Sequence, residues 1–95
     1  MKYYNKFYDG VGNLVQRWTE TWGKEKWFHR KEGPAIIVSA PDGRIIREGF
    51  WISGTYLSSN KDGFWKLWEH LSEDERNNNN NNNNNNILIY LARYA

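Results

Sequence analysis

Apolar and polar residues alternate with a period near two along most of the chain from Lys2 to Leu57, the spacing of half-buried strands. Lys2 to Tyr8 is aromatic and loosely alternating, which predicts a strand, and Asp9-Gly10-Val11-Gly12 predicts the turn that ends it. Asn13 to Trp22 alternates well, with Leu14, Gln16, Trp18, Glu20 and Trp22 on one face and Val15, Arg17, Thr19 and Thr21 on the other. Neither face is purely apolar, yet the β-branched and aromatic content favours a strand. Trp22-Gly23-Lys24 is the next turn, Trp27-Phe28 a short strand end, and His29 to Gly33 a polar loop. Pro34 lacks a backbone N–H and suits a strand start, so Ala35 to Ser39 follows as a strand. Pro41-Asp42-Gly43 matches a type I or II turn. Arg44 to Ile52 is a second long strand, in which Gly49 is expected to mark a bulge. Ser53-Gly54 then reads as a two-residue hairpin turn into Thr55-Tyr56-Leu57.

After Gly63 the period changes. Phe64, Leu67, Trp68 and Leu71 follow the i, i+3, i+4, i+7 spacing of an amphipathic helix, predicted over Phe64 to Leu71. That helix is expected to bury Trp65, Trp68 and Leu71 against the sheet. Ser72-Glu73-Asp74-Glu75 has the form of a capping box, with Ser72 as N-cap. Asn77 to Asn86 is a homopolymer, read as a low-complexity linker, and Ile87 to Tyr94 is apolar enough to dock on the sheet as a terminal helix. The fold class is therefore mainly β with C-terminal helices (α+β). An antiparallel meander over residues 1–63 is capped by a helical segment, 64–95, within the same compact domain.

The glycines carry an internal repeat. Gly12, Gly23 and Gly33 correspond to Gly43, Gly54 and Gly63 at offsets of roughly 30 residues, which divides the sheet into two hairpin units of about that length. His29-Arg30-Lys31-Glu32-Gly33-Pro34-Ala35, with Asp42-Gly43 and Trp51-Ile52-Ser53-Gly54, resembles the short hairpin repeat W-x-N-G-x-x-H-R-x-D-G-P-A-x-I. Such MORN-like repeats are frequent in tailed phages, giant viruses and some bacterial proteins. Ser53 stands where Asn is usual and Glu32 where Asp is common, and Lys61-Asp62-Gly63-Phe64-Trp65 lacks the His-Arg and Pro-Ala pairs. The resemblance spans about residues 8 to 65. It implies a sheet of hairpins used for binding or scaffolding, with no catalytic residue to carry over.

Composition narrows the function. Ninety-five residues make one small domain, whose core must be dense in large side chains, and six Trp, six Tyr and four Phe supply them. The net charge is +2 from interspersed charges, with no Lys/Arg block of the kind a dedicated nucleic-acid binder carries. Zero Cys excludes disulfides and thiolate metal sites and suits a cytoplasmic location, host cytoplasm if the gene is a phage's. No signal peptide is visible, and the longest apolar run, Ile87 to Ala92, is too short to cross a bilayer.

Candidate chemistry is sparse. His29 with Arg30 and Glu32 has the residue types of an acid–base cluster, but reads first as a turn whose side chains bond nearby backbone. His70 has no second His at helical spacing, so no metal is expected, and no cofactor motif occurs. Asp9, Asp42 and Asp62 each precede Gly, which is turn chemistry. The tryptophans read mostly as core, and as stacking platforms only where exposed. The expectation is a non-enzymatic module that binds a host or viral protein through a polar sheet face and its turns. Its contact residues would be Arg17, His29, Arg30, Arg44, Arg47 and Tyr56. Inhibition of a host defence or nuclease system is one such role. Nucleic acid or a nucleotide is the alternative partner, and a structural scaffold the third reading.

Overall fold

The computed structural model describes residues 1–76, and the expectations for the Asn run and for Ile87–Tyr94 lie outside the described residues. The alternating stretches form six antiparallel strands: β1 (Lys2–Tyr8), β2 (Leu14–Trp22), β3 (Glu25–Phe28), β4 (Ile36–Ser39), β5 (Ile45–Ile52) and β6 (Thr55–Ser59). Helix α1 (Asn60–His70) follows. The sheet runs β1-β2-β4-β5-β6, with β3 also paired to β2. Both β3 and β4 lie along the same edge of β2. Thr19 to Trp22 pair with β3, and Leu14 to Arg17 with β4.

The internal repeat is visible in the hydrogen bonds. The Asp9 N–H donates to the Asn13 carbonyl and the Gly12 N–H to the Asp9 carbonyl. In the second unit the Ala40 N–H donates to Arg44 and the Gly43 N–H to Ala40, in the same pattern. Gly12 and Gly43 have φ of 91° and 90°, where a β-carbon would be strained. The two hairpin turns differ. Gly23 has φ 61° at the first central position of the β2–β3 turn, whereas Ser53 (49°) and Gly54 (80°) are both positive, as a type I′ turn requires.

Gly49 is not a bulge. It pairs in register with both Ile36 and Ser59, and the register shifts fall at Val38/Ser39 and Phe50/Trp51. A β-carbon at Gly49 would meet the Trp51 Nε1 at 3.4 Å and the Tyr56 ring at 3.8 Å, both ordinary contacts.

Strand register divides the side chains between two faces. Tyr4, Gln16, Trp18, Ile37, Glu48 and Phe50 lie on one, and Phe7, Val15, Arg17, Ile36, Val38 and Arg47 on the other. Helix α1 covers the first face over β5 and β6. Phe50, Phe64 and Leu67 are fully buried there, with Ile52, Leu57 and Trp68 packed around them. Each of the three buried side chains contributes about 1.5–3 kcal/mol. The predicted stripe of Phe64, Leu67, Trp68 and Leu71 is the one that faces the sheet. Trp65 does not join it. It stays 39% exposed, one residue out of the stripe, with its ring edge-on to Phe64.

The helix also starts at Asn60, before the expected Phe64, so Asp62-Gly63 is its first turn and not a loop. Asp62 places negative charge at the helix N-terminus, and Gly63 lets the helix approach the Ser58 backbone and the Phe50 ring. The capping box forms as predicted, the Glu75 N–H donating to Ser72 Oγ and the Ser72 N–H to Glu75 Oε1. Arg76 donates twice to the Trp68 carbonyl and so caps the end of α1.

Candidate interaction surface

The segment that carries the sequence resemblance, His29 to Ala35, is a joint in the fold. Because β3 and β4 lie along one edge of β2, the residues between them must leave that line and return to it. Trp18 pinches the excursion closed. Its carbonyl accepts the His29 N–H at 3.2 Å and its N–H donates to Ala35 at 2.8 Å. The same segment ties into β5, the Arg30 N–H donating to Trp51 and the Ala35 N–H to Gly49. The Arg30 guanidinium stacks 3.7 Å from the Trp18 ring centroid and donates to the Pro34 carbonyl, which holds the loop shut.

His29 has a structural task. Its Nδ1 accepts the Ser53 N–H at 2.9 Å, so the imidazole holds the β5–β6 turn, and its Nε2 lies 3.7 Å from Glu20. Burial pushes its pKa below the ordinary histidine value, outweighing the upward pull of Glu20. Lys31 and Glu75 form an ion pair at 2.6 Å that ties the joint to the helical turn at 73–76, and the Glu75 carboxyl is pushed down to about 2, chiefly by Lys31 and then by the Ser72 N–H. The hollow beside the joint mixes Lys2, Lys31 and Arg30 with Glu20, Glu32 and Glu75. Charges of both signs give it no field suited to an anion.

The opposite sheet face is different in kind. Phe7, Val15, Phe28, Ile36, Val38 and Ile46 line a shallow groove with Arg17 and Arg47. Past Ile36 and Arg47 it continues to Trp51, Tyr56 and Ser59. None of the described helical residues packs on this face, where Phe7 is 40%, Ile46 51% and Tyr56 49% exposed. Arg17 lies over the Phe7 ring and donates weakly to Asn5, and the Tyr56 hydroxyl bonds Ser59. The expected polar face is thus a mostly apolar groove edged by Arg17, Arg47, Asp9 and Asn13.

The six predicted contact residues separate into three places. Arg17, Arg47 and Tyr56 come together on the open face. His29 and Arg30 belong to the joint, and Arg44 sits in the β4–β5 turn, where its N–H donates to Asp42. Sequence reasoning missed Phe28, Ile36, Val38 and Trp51 as members of the open face. Strict alternation would have grouped Ile36 with Val38, but the bulge at Ile46 hides which residues of β5 join them.

Among the described residues, no group of three or more His, Asp or Glu is placed to hold a metal ion, and no helix is long and apolar enough to cross a membrane. No protein-family model, no curated protein and no solved structure matches this chain.

Proposed function

We propose that this chain is a non-enzymatic binding module of phage or mobile-element type that docks a host or viral protein on its open sheet face. The observation that carries this reading is the apolar groove between Arg17 and Arg47, on which none of the described helical residues packs. Contiguous exposed apolar surface rimmed by polar groups is what protein-binding surfaces present. Arginine and aromatic side chains such as Arg47, Trp51 and Tyr56 are the types enriched at their energetic centres. Inhibition of a host defence or nuclease system in the host cytoplasm fits a small module with no chemistry of its own. The MORN-like resemblance points the same way.

A second reading is favoured by one feature. Arg17 and Arg47 flank Phe7, Trp51 and Tyr56 on an open surface, which is how single-stranded nucleic acid is stacked and neutralised. A tagged pull-down from host lysate, with and without nuclease, separates the two. The protein reading expects one stoichiometric protein that survives nuclease and is lost with Arg47→Glu. Recovery that collapses on nuclease, with binding that falls steeply between low and moderate salt, transfers the function to nucleic acid. Capture unaffected by Arg47→Glu and by Tyr56→Ala removes the open face from the account.

A further inference from the structure

Among the described residues, one edge of strand β1 has no partner strand. All seven of its residues are exposed, and its pairing with β2 runs without a bulge from Lys2↔Glu20 to Tyr8↔Leu14. The Met1 carbonyl accepts from Thr21 and the Asp9 N–H donates to Asn13, so odd-numbered residues of β1 turn their backbone groups towards β2. Lys2, Tyr4, Lys6 and Tyr8 therefore present theirs outward. The other edge of the sheet is less available, because Lys66 Nζ reaches the Leu57 carbonyl of β6 and α1 follows directly.

We infer that β1 pairs antiparallel with β1 of a second copy, in a register centred on Asn5. This goes beyond the proposed partner reading and does not depend on it. The side chains choose the register. Only even residues can exchange hydrogen bonds across the seam, which leaves centres at Tyr4, Asn5 or Lys6 for any long overlap. A centre at Tyr4 sets Lys2 against Lys6 of the other copy, and a centre at Lys6 sets Lys6 against itself. Like charges directly opposed destabilise a strand pair. The Asn5 centre sets Lys2 against Tyr8, Tyr4 against Lys6 and Tyr3 against Phe7, with Asn5 facing Asn5. Each lysine then meets an aromatic ring, and about eight backbone hydrogen bonds span the seam.

The contact is self-complementary, so it closes as a two-fold dimer and does not grow into a fibre. The two-fold axis stands perpendicular to the sheet, which places both open faces on the same side with Phe7 of each copy near the seam. Lys2 and Lys6 thus act as selectors, refusing the neighbouring registers while allowing one.

The chain has no cysteine, so Asn5→Cys supplies a single thiol. Facing residues of a non-hydrogen-bonded pair lie about 4.5 Å apart at Cα, within disulfide reach. Mild oxidation is expected to cross-link Asn5→Cys into a dimer at least roughly ten times faster than Tyr4→Cys or Lys6→Cys, which lie off the centre. Faster cross-linking at position 4 or 6 overturns the register. Sedimentation of the parent is expected to show concentration-dependent dimer, and a parent that stays monomeric at several hundred micromolar (about the limit for an edge contact) overturns the dimer. Tyr8 is 73% exposed, so its variants spare the fold. Tyr8→Glu should tighten and Tyr8→Lys weaken the dimer by roughly three- to ten-fold, since each faces Lys2 of the other copy. Equal dissociation constants for the two also overturn the register. A monomeric chain that still captures its partner would sink this inference and leave the partner reading standing.

Discussion

Replacing Gly63 with Ala inside α1 ought, by helix propensity alone, to stabilise the protein by about 1 kcal/mol. The packing gives the opposite sign. A β-carbon at Gly63 would lie 2.3 Å from Phe50 Cδ1, 2.5 Å from the Ser58 carbonyl oxygen and 2.8 Å from its carbon. The ring could rotate, but the Ser58 backbone belongs to β6 and cannot. Restoring an ordinary 3.4 Å contact requires the helix to lift from the sheet by roughly 1 Å at that point, and Phe64 and Leu67 are anchored in the core immediately after it. Overpacking of this kind costs about 1–3 kcal/mol, and the loosened contacts of Phe50, Phe64 and Leu67 add to it. With two of the three contacts against fixed backbone the cost falls at the upper end of that range, and set against the propensity gain the net loss is about 2 kcal/mol, which for a domain of this size lowers Tm by about 8–16 °C. Thermal melts followed by far-UV circular dichroism, with urea titrations for the free energy, measure it. A Gly63→Ala protein that melts at or above the parent would show that the helix does not approach β6 as closely as described.

Gly54→Ala combines two costs, because Gly54 has φ 80° and its β-carbon would lie 1.9 Å from the Trp27 ring. A loss of about 2 kcal/mol or more is expected, with a changed near-UV tryptophan signal, and an unchanged spectrum would contradict the stacking of Trp27 on the turn. His29 sets a pH dependence. Its Nδ1 must be unprotonated to accept the Ser53 N–H, and its folded pKa lies below the unfolded value of 6.5. The unfolded chain therefore binds the proton more readily, so this stability is fully present above pH 6.5 and erodes as pH falls below it. Urea midpoints at pH 7.5 and 5.5 should fall for the parent and stay level for His29→Asn, and parallel falls would remove His29 as the source.

The strands were legible because each is short, rich in β-branched or aromatic residues and bounded on at least one side by a glycine turn, so local sequence and sheet pairing agree. The helical stripe was legible for the same reason, since Phe64, Leu67, Trp68 and Leu71 hold a single period. Two glycines misled. Gly49 and Gly63 carry the marks of a bulge and a turn, yet Gly49 pairs in register on both sides and Gly63 serves a close approach to Phe50 and Ser58, residues that local sequence does not pair with it. The real irregularities fall beside Ile46 and Leu57, side chains with no local signature of a bulge. For the open face this mattered most. A bulge shifts the parity of every residue beyond it, so Arg47 and Trp51 could be assigned to a face only once pairing was known. The six candidate residues accordingly scattered across the open face, the joint at His29–Arg30 and a turn.

The way the array ends explains both the helix and part of the exposed surface. In the first unit the chain leaves β3 at His29, loops, and returns as β4 along the lower half of β2. Asn60 stands one repeat after His29, and here the chain enters α1 where the first unit looped back into a strand. Asn60 takes φ 55°, and its side-chain oxygen accepts the Glu48 N–H at 3.1 Å, directly beyond the last β5–β6 pair, Gly49↔Ser59. A side chain thus occupies the group where the ladder would have continued, and the backbone is freed to turn into α1. The helix buries Phe50 in place of a further strand, while Ile45, Ile46 and Arg47 keep no β6 partner and remain exposed. The stop of the β5–β6 ladder at Gly49↔Ser59 therefore accounts for the exposed β5 end, where Ile46 and Arg47 complete the apolar groove. Termination of the repeat and formation of the candidate binding surface are one structural event.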